Sequence, residues 1–178
     1  KLLFTVPLLL FGCGSNALDE NKVIQKIDNL NLDIFSNNGE KIYTVRSPYT
    51  IYDVEKNTFD LQKTTINVYK ESREKYIINS DHSKLSDNNK IIELNGNVQL
   101  KTILQDNEIL YANNFSWNID ESQYLLDGDV KFENNLIILI SNKASMKSDN
   151  VIEFYNPVKY IIKKKDNNNK RYEISSEN

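Results

Sequence analysis

One cysteine and one histidine in 178 residues leave this chain short of the side chains that most chemistry needs. A single cysteine, Cys13, cannot close an intramolecular disulfide, so an exported domain of this sequence must draw its stability from its own sheet and core. With His82 as the only imidazole, nucleophilic triads and most zinc or haem sites lack their ligands, and His82 itself sits in a polar stretch that reads as a solvated strand residue. Carboxylates do not fill the gap. Asp127 and Asp129 flank a glycine and, by alternation, face the same solvent side, which suits turn chemistry or weak calcium binding better than acid–base work. Asp60, Asp81 and Glu93 share no spacing that would bring them together. A net charge of −3, spread along the chain, gives no basic footprint for nucleic acid. Enzymatic activity and a resident cofactor are therefore not expected. The longest apolar run, Leu2 to Phe11, falls short of the roughly 20 residues that span a bilayer.

What the chain has in quantity is one pattern, written three times. Ile92-Glu-Leu-Asn-Gly-Asn-Val-Gln-Leu100, Tyr124-Leu-Leu-Asp-Gly-Asp-Val-Lys-Phe132 and Ile152-Glu-Phe-Tyr-Asn-Pro-Val-Lys-Tyr160 each place apolar residues at alternate positions around a central Gly or Asn. Leu94, Leu126 and Phe154 fall in one column; Gly96, Gly128 and Asn156 in a second; Val98, Val130 and Val158 in a third; and Leu100, Phe132 and Tyr160 in a fourth. Upstream of each lies an equivalent segment, Ser80 to Leu85, Ala112 to Trp117 and Ser141 to Met146, followed by a polar turn such as Asp87-Asn88-Asn89 or Asp120-Glu121-Ser122. The unit is a strand, a tight turn and a return strand. A fainter first copy runs from Ser47 to Tyr52, turns at Glu55 to Asn57 and returns through Phe59 to Val68. A glycine inside an alternating strand marks a bend, because it accepts backbone angles that a Cβ forbids. Repeated at one level, such bends curve an antiparallel sheet so that its concave face gathers Leu, Val, Phe and Tyr.

The N-terminal segment carries a different signal. Leu10-Phe-Gly-Cys13-Gly-Ser-Asn closes the apolar run with a small residue, and polar sequence follows at once, as in a secretory leader. The ending resembles the lipobox of bacterial lipoproteins, which implies that residues 1–12 are a lipoprotein-type signal peptide, that Cys13 is lipidated, and that residues 13–27 form a tether, with helical character around Val23 to Ile27. The folded domain is expected over 28–165 and a polar tail over 166–178, in which Tyr172-Glu-Ile174 could add a short strand. Lys163-Lys-Lys165 reads as a set of gatekeepers on an edge strand.

An N-terminal anchor, then Leu30-Asn-Leu-Asp-Ile-Phe35, a glycine turn and Lys41-Ile-Tyr-Thr-Val-Arg-Ser-Pro-Tyr49, and then repeated Leu-x-Gly-x-Val strands together resemble the LptC family of periplasmic lipopolysaccharide-export proteins and, more distantly, the soluble bridge protein LptA. The resemblance covers roughly residues 28–165. Better-known members hold the membrane by an uncleaved helix, where this chain offers a lipidated cysteine. The resemblance implies an all-β, partly open, two-sheeted antiparallel β-jellyroll made of hairpin units, anchored in the periplasm to the inner membrane. Its partners would be lipopolysaccharide, an inner-membrane ABC transporter that hydrolyses ATP, and the bridge protein LptA. Leu94, Val98, Leu100, Phe115, Trp117, Leu126, Val130, Phe132 and Phe154 would line a lipid-binding trough, although a closed sandwich would use the same alternation. The strand around Asn31 to Val45 would pair with the transporter and the strand from Val151 to Ile162 with the bridge protein, by β-augmentation. Two other readings stand beside this one: a bridge-like component, and a β-repeat surface lipoprotein with a filled interior.

Overall fold

Period-2 alternation carries through to ten strands in the computed structural model, which describes residues 23–103, 108–147, 151–165 and 171–177. They are β1 (Ile24–Phe35), β2 (Lys41–Asp53), β3 (Thr58–Lys70), β4 (Arg73–Ser86), β5 (Ile91–Thr102), β6 (Ile109–Asn118), β7 (Gln123–Glu133), β8 (Ile137–Lys147), β9 (Ile152–Lys165) and β10 (Arg171–Glu177). Each pairs antiparallel with the next, and the order in the sheet is the order in the chain. The repeated units are the hairpins β4–β5, β6–β7 and β8–β9, and the fainter first copy is β2–β3. Their turns adopt left-handed backbone, with positive φ at Asn57, the run Asp87 to Asn89, and Ser122, as does the β3–β4 connection at Glu71 and Ser72.

A crease crosses the sheet at one level. The ladders skip between Asn79 and His82, Asn95 and Val98, Tyr111 and Asn114, Asp127 and Val130, and Ser141 and Lys143. Gly96 and Gly128 lie on that line with φ of 76° each, followed by Asn97 and Asp129, also in the left-handed region. The bends expected at the two glycines are present. Both sites are tight as well as bent. A Cβ on Gly96 would come within 2.9 Å of the Asp81 carboxylate, and one on Gly128 within 3.0 Å of the Asn113 Cβ. Across the crease the Asn97 amide donates to Asp81 at 2.6 Å and the Asn113 amide to Asp129 at 2.9 Å, the same clasp in two hairpins with acceptor and donor exchanged between strands. On the inner side, Ser47 donates to the carbonyls of Tyr49 and Gln62, and Ser141 to those of Lys143 and Tyr155, so the equivalent serines tie the kinked strands together.

Bending every strand at its middle folds one sheet into two facing layers. Strands sit about 4.8 Å apart, so β2 and β6 in a flat sheet would stand roughly 19 Å from each other. Instead the Tyr43 and Trp117 rings meet at 5.4 Å between centroids, and Tyr76 of β4 meets Tyr124 of β7 at 6.3 Å. The two sheets expected are thus the two halves of a single hydrogen-bonded sheet. Between them lies the core, from Tyr43 and Val45 through Ile66, Ile78, Ile92, Leu94 and Val130, each at most 1% exposed.

Several expectations need correction. Ile24 to Ile27 are extended and pair with Thr50 to Asp53 of β2, so the helix expected around Val23 to Ile27 is absent. The apolar spacing of so short a run fits either period, and the partner strand decides. The sheet starts at Ile24 and runs to Glu177, wider at both ends than 28–165, and the strand at Tyr172 to Ile174 is real. Lys163 is no gatekeeper: its ammonium is nearly buried and donates to Glu133 at 2.7 Å and to the Asn134 carbonyl at 2.9 Å. Cys13 and the apolar segment before it lie outside the described residues.

Candidate functional site

Alternation places all nine predicted lining residues on the inner face. Leu94, Phe115, Leu126 and Phe154 form one cross-strand row, with Ala144 between the last two, and Leu100, Leu110, Phe132 and Leu139 form another on the far side of the crease. Val98 and Val130 sit beside the crease, and Trp117 pairs with Ile92 and Tyr124. Eight of the nine are buried. Phe154 is half-buried against the same cluster, with its ring 6.4 Å from that of Phe132.

Three tyrosines that the repeat columns did not include join this group, Tyr124 beside Trp117 in the same layer and Tyr43 and Tyr76 from the opposite one. Tyr124 packs at 5.1 Å from Trp117 and 5.8 Å from Phe115, and Tyr43 and Tyr76 reach across to this group. Tyr43 keeps its hydroxyl satisfied by donating to the Asn89 carbonyl at 2.5 Å. Burial pushes all three phenols up, Tyr76 to about 12, so they stay neutral at physiological pH. Their alternate spacing within β2, β4 and β7 was the available signal; the polar tip obscured it.

The centre of the sandwich is filled. The space bounded by Tyr76, Leu100, Leu110, Phe132 and Met146 is about 30 Å³, enough for one water and no hydrocarbon. Toward the two ends the packing loosens. Leu30, Leu32 and Ile34 of β1, and Ile137, Leu139, Ile152 and Phe154 of β8 and β9, are only partly buried although they face inward.

The ends also carry the sheet's unpaired edges. Among the described residues β1 pairs only with β2, and β10 only with β9. The edges differ from those expected. β2 is an interior strand between β1 and β3, so within Asn31 to Val45 only the β1 portion has a free side. β10 covers Lys159 to Lys165 and leaves Ile152 to Val158 of β9 without an outer neighbour among the described residues.

Paired charges stand on the outer face. Lys131 and Lys163 donate to Glu133 at 2.9 and 2.7 Å and hold its carboxyl down to about 2. Asp33 accepts from Thr44 at 2.5 Å and Lys41 at 3.0 Å, which lowers its pKa too. His82 is exposed on β4, and no three His, Cys, Asp or Glu residues cluster to hold a metal among the described residues. A second cavity, about 430 Å³, opens on the outer face of β1 to β4, between the cross-strand ladder Lys26–Ile51–Asp60 and the ladder Asp28–Tyr49–Gln62–His82.

The sequence profile of a family described as lipopolysaccharide-assembly, LptC-related, matches residues 14–159. No curated protein matches the chain by sequence. Among solved structures, the fold is similar to that of LptH from Pseudomonas aeruginosa, the LptA-homologous periplasmic component of a lipopolysaccharide transport device. The TM-score is 0.52 at 8% identity, over 63% of this chain and 80% of that one. At that identity the likeness speaks for the fold alone.

Proposed function

The chain belongs to the LptC-related lipopolysaccharide-assembly family, and from that premise we propose that it is a periplasmic relay, held at the inner membrane through a lipidated Cys13. It accepts lipopolysaccharide from an ABC transporter and hands it to a soluble LptA-type bridge protein. One observation carries the reading: a continuous apolar inner face, shared by two layers of one sheet, whose first and last strands each have a neighbour on one side only among the described residues.

Acyl chains moving through water would expose about 25 cal/mol for every Å² of apolar surface. An inner face of leucine, valine and aromatic side chains removes that cost. The interior is closed at its middle, so the layers must part for a chain to lie between them, and the half-buried residues of β1, β8 and β9 mark where parting disturbs least packing. Unpaired strand edges accept another strand with little demand on sequence. In this reading β1 docks on the transporter's periplasmic domain and the C-terminal edge, at β10 or the uncovered part of β9, docks on the bridge protein. ATP hydrolysed by the transporter supplies the energy, and the relay needs no cofactor.

The test is a photo-reactive residue at Phe132 or Phe154 in living cells. The expected result is an adduct with lipopolysaccharide that disappears when ATP is depleted. No adduct at either position, with the protein folded and exported, would overturn the reading.

A further inference from the structure

The outer-face cavity of β1 to β4 plays no part in a trough between the layers. The ion pairs of Asp33 with Lys41, Lys90 with Asp120, and Glu133 with Lys131 and Lys163 lie outside its lining. Here Lys26, Asp28, Asp60, Gln62 and His82 line about 430 Å³, and none of their side chains makes a hydrogen bond or ion pair with another described residue. That volume is the size of a small-molecule site. Between these donors and acceptors stand two apolar surfaces, the Tyr49 ring, 59% exposed, and Ile51, 41% exposed.

Register explains why the groups converge. Asp28, Tyr49, Gln62 and His82 are direct cross-strand neighbours on four adjacent strands, as are Lys26, Ile51, Asp60 and Lys84, so two parallel ladders wall a groove whose floor is backbone. A ligand lying there meets an aromatic face at its middle and hydrogen-bonding groups on both sides. Asp28 and Asp60 accept, Lys26 donates, and Gln62 does both. Two carboxylates face two ammonium groups, that of Lys26 and that of Lys84, the cross-strand neighbour of Asp60, so the groove carries no net charge to attract a phosphate or other anion. The complementary molecule is neutral, with flat C–H faces and hydroxyls at its rim.

We propose that this groove is a saccharide-binding site, recognising a neutral sugar either free or borne by a larger amphiphile. Tyr49 stacks on the ring, and Asp60 and Gln62 bond adjacent hydroxyls.

The test uses the full chain, isotopically labelled, titrated with glucose, galactose, N-acetylglucosamine and inorganic phosphate while amide shifts are followed by NMR. At least one neutral sugar is expected to move the amides of Ile51, Gln62 and His82, and phosphate is expected not to. Tyr49→Ala and Asp60→Ala, both on the surface, should each weaken binding at least tenfold with unchanged melting temperature. A parallel titration with octyl glucoside and with a dodecyl amine oxide separates the sources: groove shifts with both the free sugar and the glucoside assign the free ligand, and shifts with the glucoside alone assign the amphiphile-borne one. Silence of these amides toward every sugar and the glucoside, a stronger response to phosphate, or unchanged affinity in both variants would overturn the site. The relay reading is judged apart, by the adduct at Phe132 or Phe154: loss of that adduct leaves the sugar site standing, and silent groove amides leave the relay standing.

Discussion

Glu133 makes the clearest case for what a single residue contributes. Two ammonium groups hold its carboxyl near 2, against an ordinary value of 4.5, so its charged form is favoured in the folded protein. The contribution is therefore complete above about pH 4.5 and is lost as the pH falls through 2. Because the carboxylate is partly exposed, the stabilisation is about 1 kcal/mol. Melting temperature should fall with acidification across that window, and Glu133→Gln should be less stable at pH 7 while losing part of the acid slope. Equal slopes for both proteins would show that the ion pairs add nothing. At the crease a second prediction follows from geometry. Gly128→Ala demands a left-handed backbone and a contact of 3.0 Å with the Asn113 Cβ, whereas Gly39→Ala meets open space at a similar φ. Chemical denaturation should find Gly128→Ala the costlier by about 1–2 kcal/mol. Trp117→Ala, emptying the middle of the aromatic group, should cost about 3–5 kcal/mol, and half-buried Phe154→Ala clearly less.

Among the elements, hairpins were the most readable part. Leu94, Val98 and Leu100 announce their counterparts in β7 because an antiparallel repeat must present the same residues to the same face, and Gly96 and Gly128 stand where the strands bend. That the nine residues expected to line a trough share one face was legible for the same reason. What alternation does not carry is which layer a residue meets after the fold closes, so the contact of Tyr43 with Trp117, from strands four apart in the sheet, was hidden. Nor does it carry edges. Val23 to Ile27 offers too few residues to distinguish a helix from a strand, and β2 supplies the missing half of that information by pairing with it. Lys163 looked like a solvated charge because Glu133, its partner, comes thirty residues earlier. β10 gives an element-scale prediction. Ending the chain after Lys165 should speed amide exchange in Lys159 to Lys165, which lose their outer neighbour, and leave β4 and β5 unchanged. Faster exchange throughout would mean that β10 supports the whole sheet.

At the scale of the whole molecule, two layers meet at one crease, and in the proposed relay their separation decides whether the interior admits hydrocarbon. Tyr43 and Trp117 face one another across the gap. Replacing both by cysteine removes two buried rings and lowers stability; in protein whose unfolding transition shows that it still folds, joining the pair with a short bifunctional reagent should abolish the lipopolysaccharide adduct at Phe132, with recovery when the linker is cleaved. Undiminished adduct in the joined protein would place the passage elsewhere.

The serial order of the strands reaches further than the finished structure. Since each interior strand binds its predecessor and its successor, the backbone can zip up from the N-terminal end as it emerges, without waiting for distant sequence to arrive. The same arrangement makes length an adjustable quantity. One more hairpin inserted between β5 and β6, carrying its own glycine at the bend, would exchange the β5–β6 pairing for three of the same kind and leave the other pairings in register.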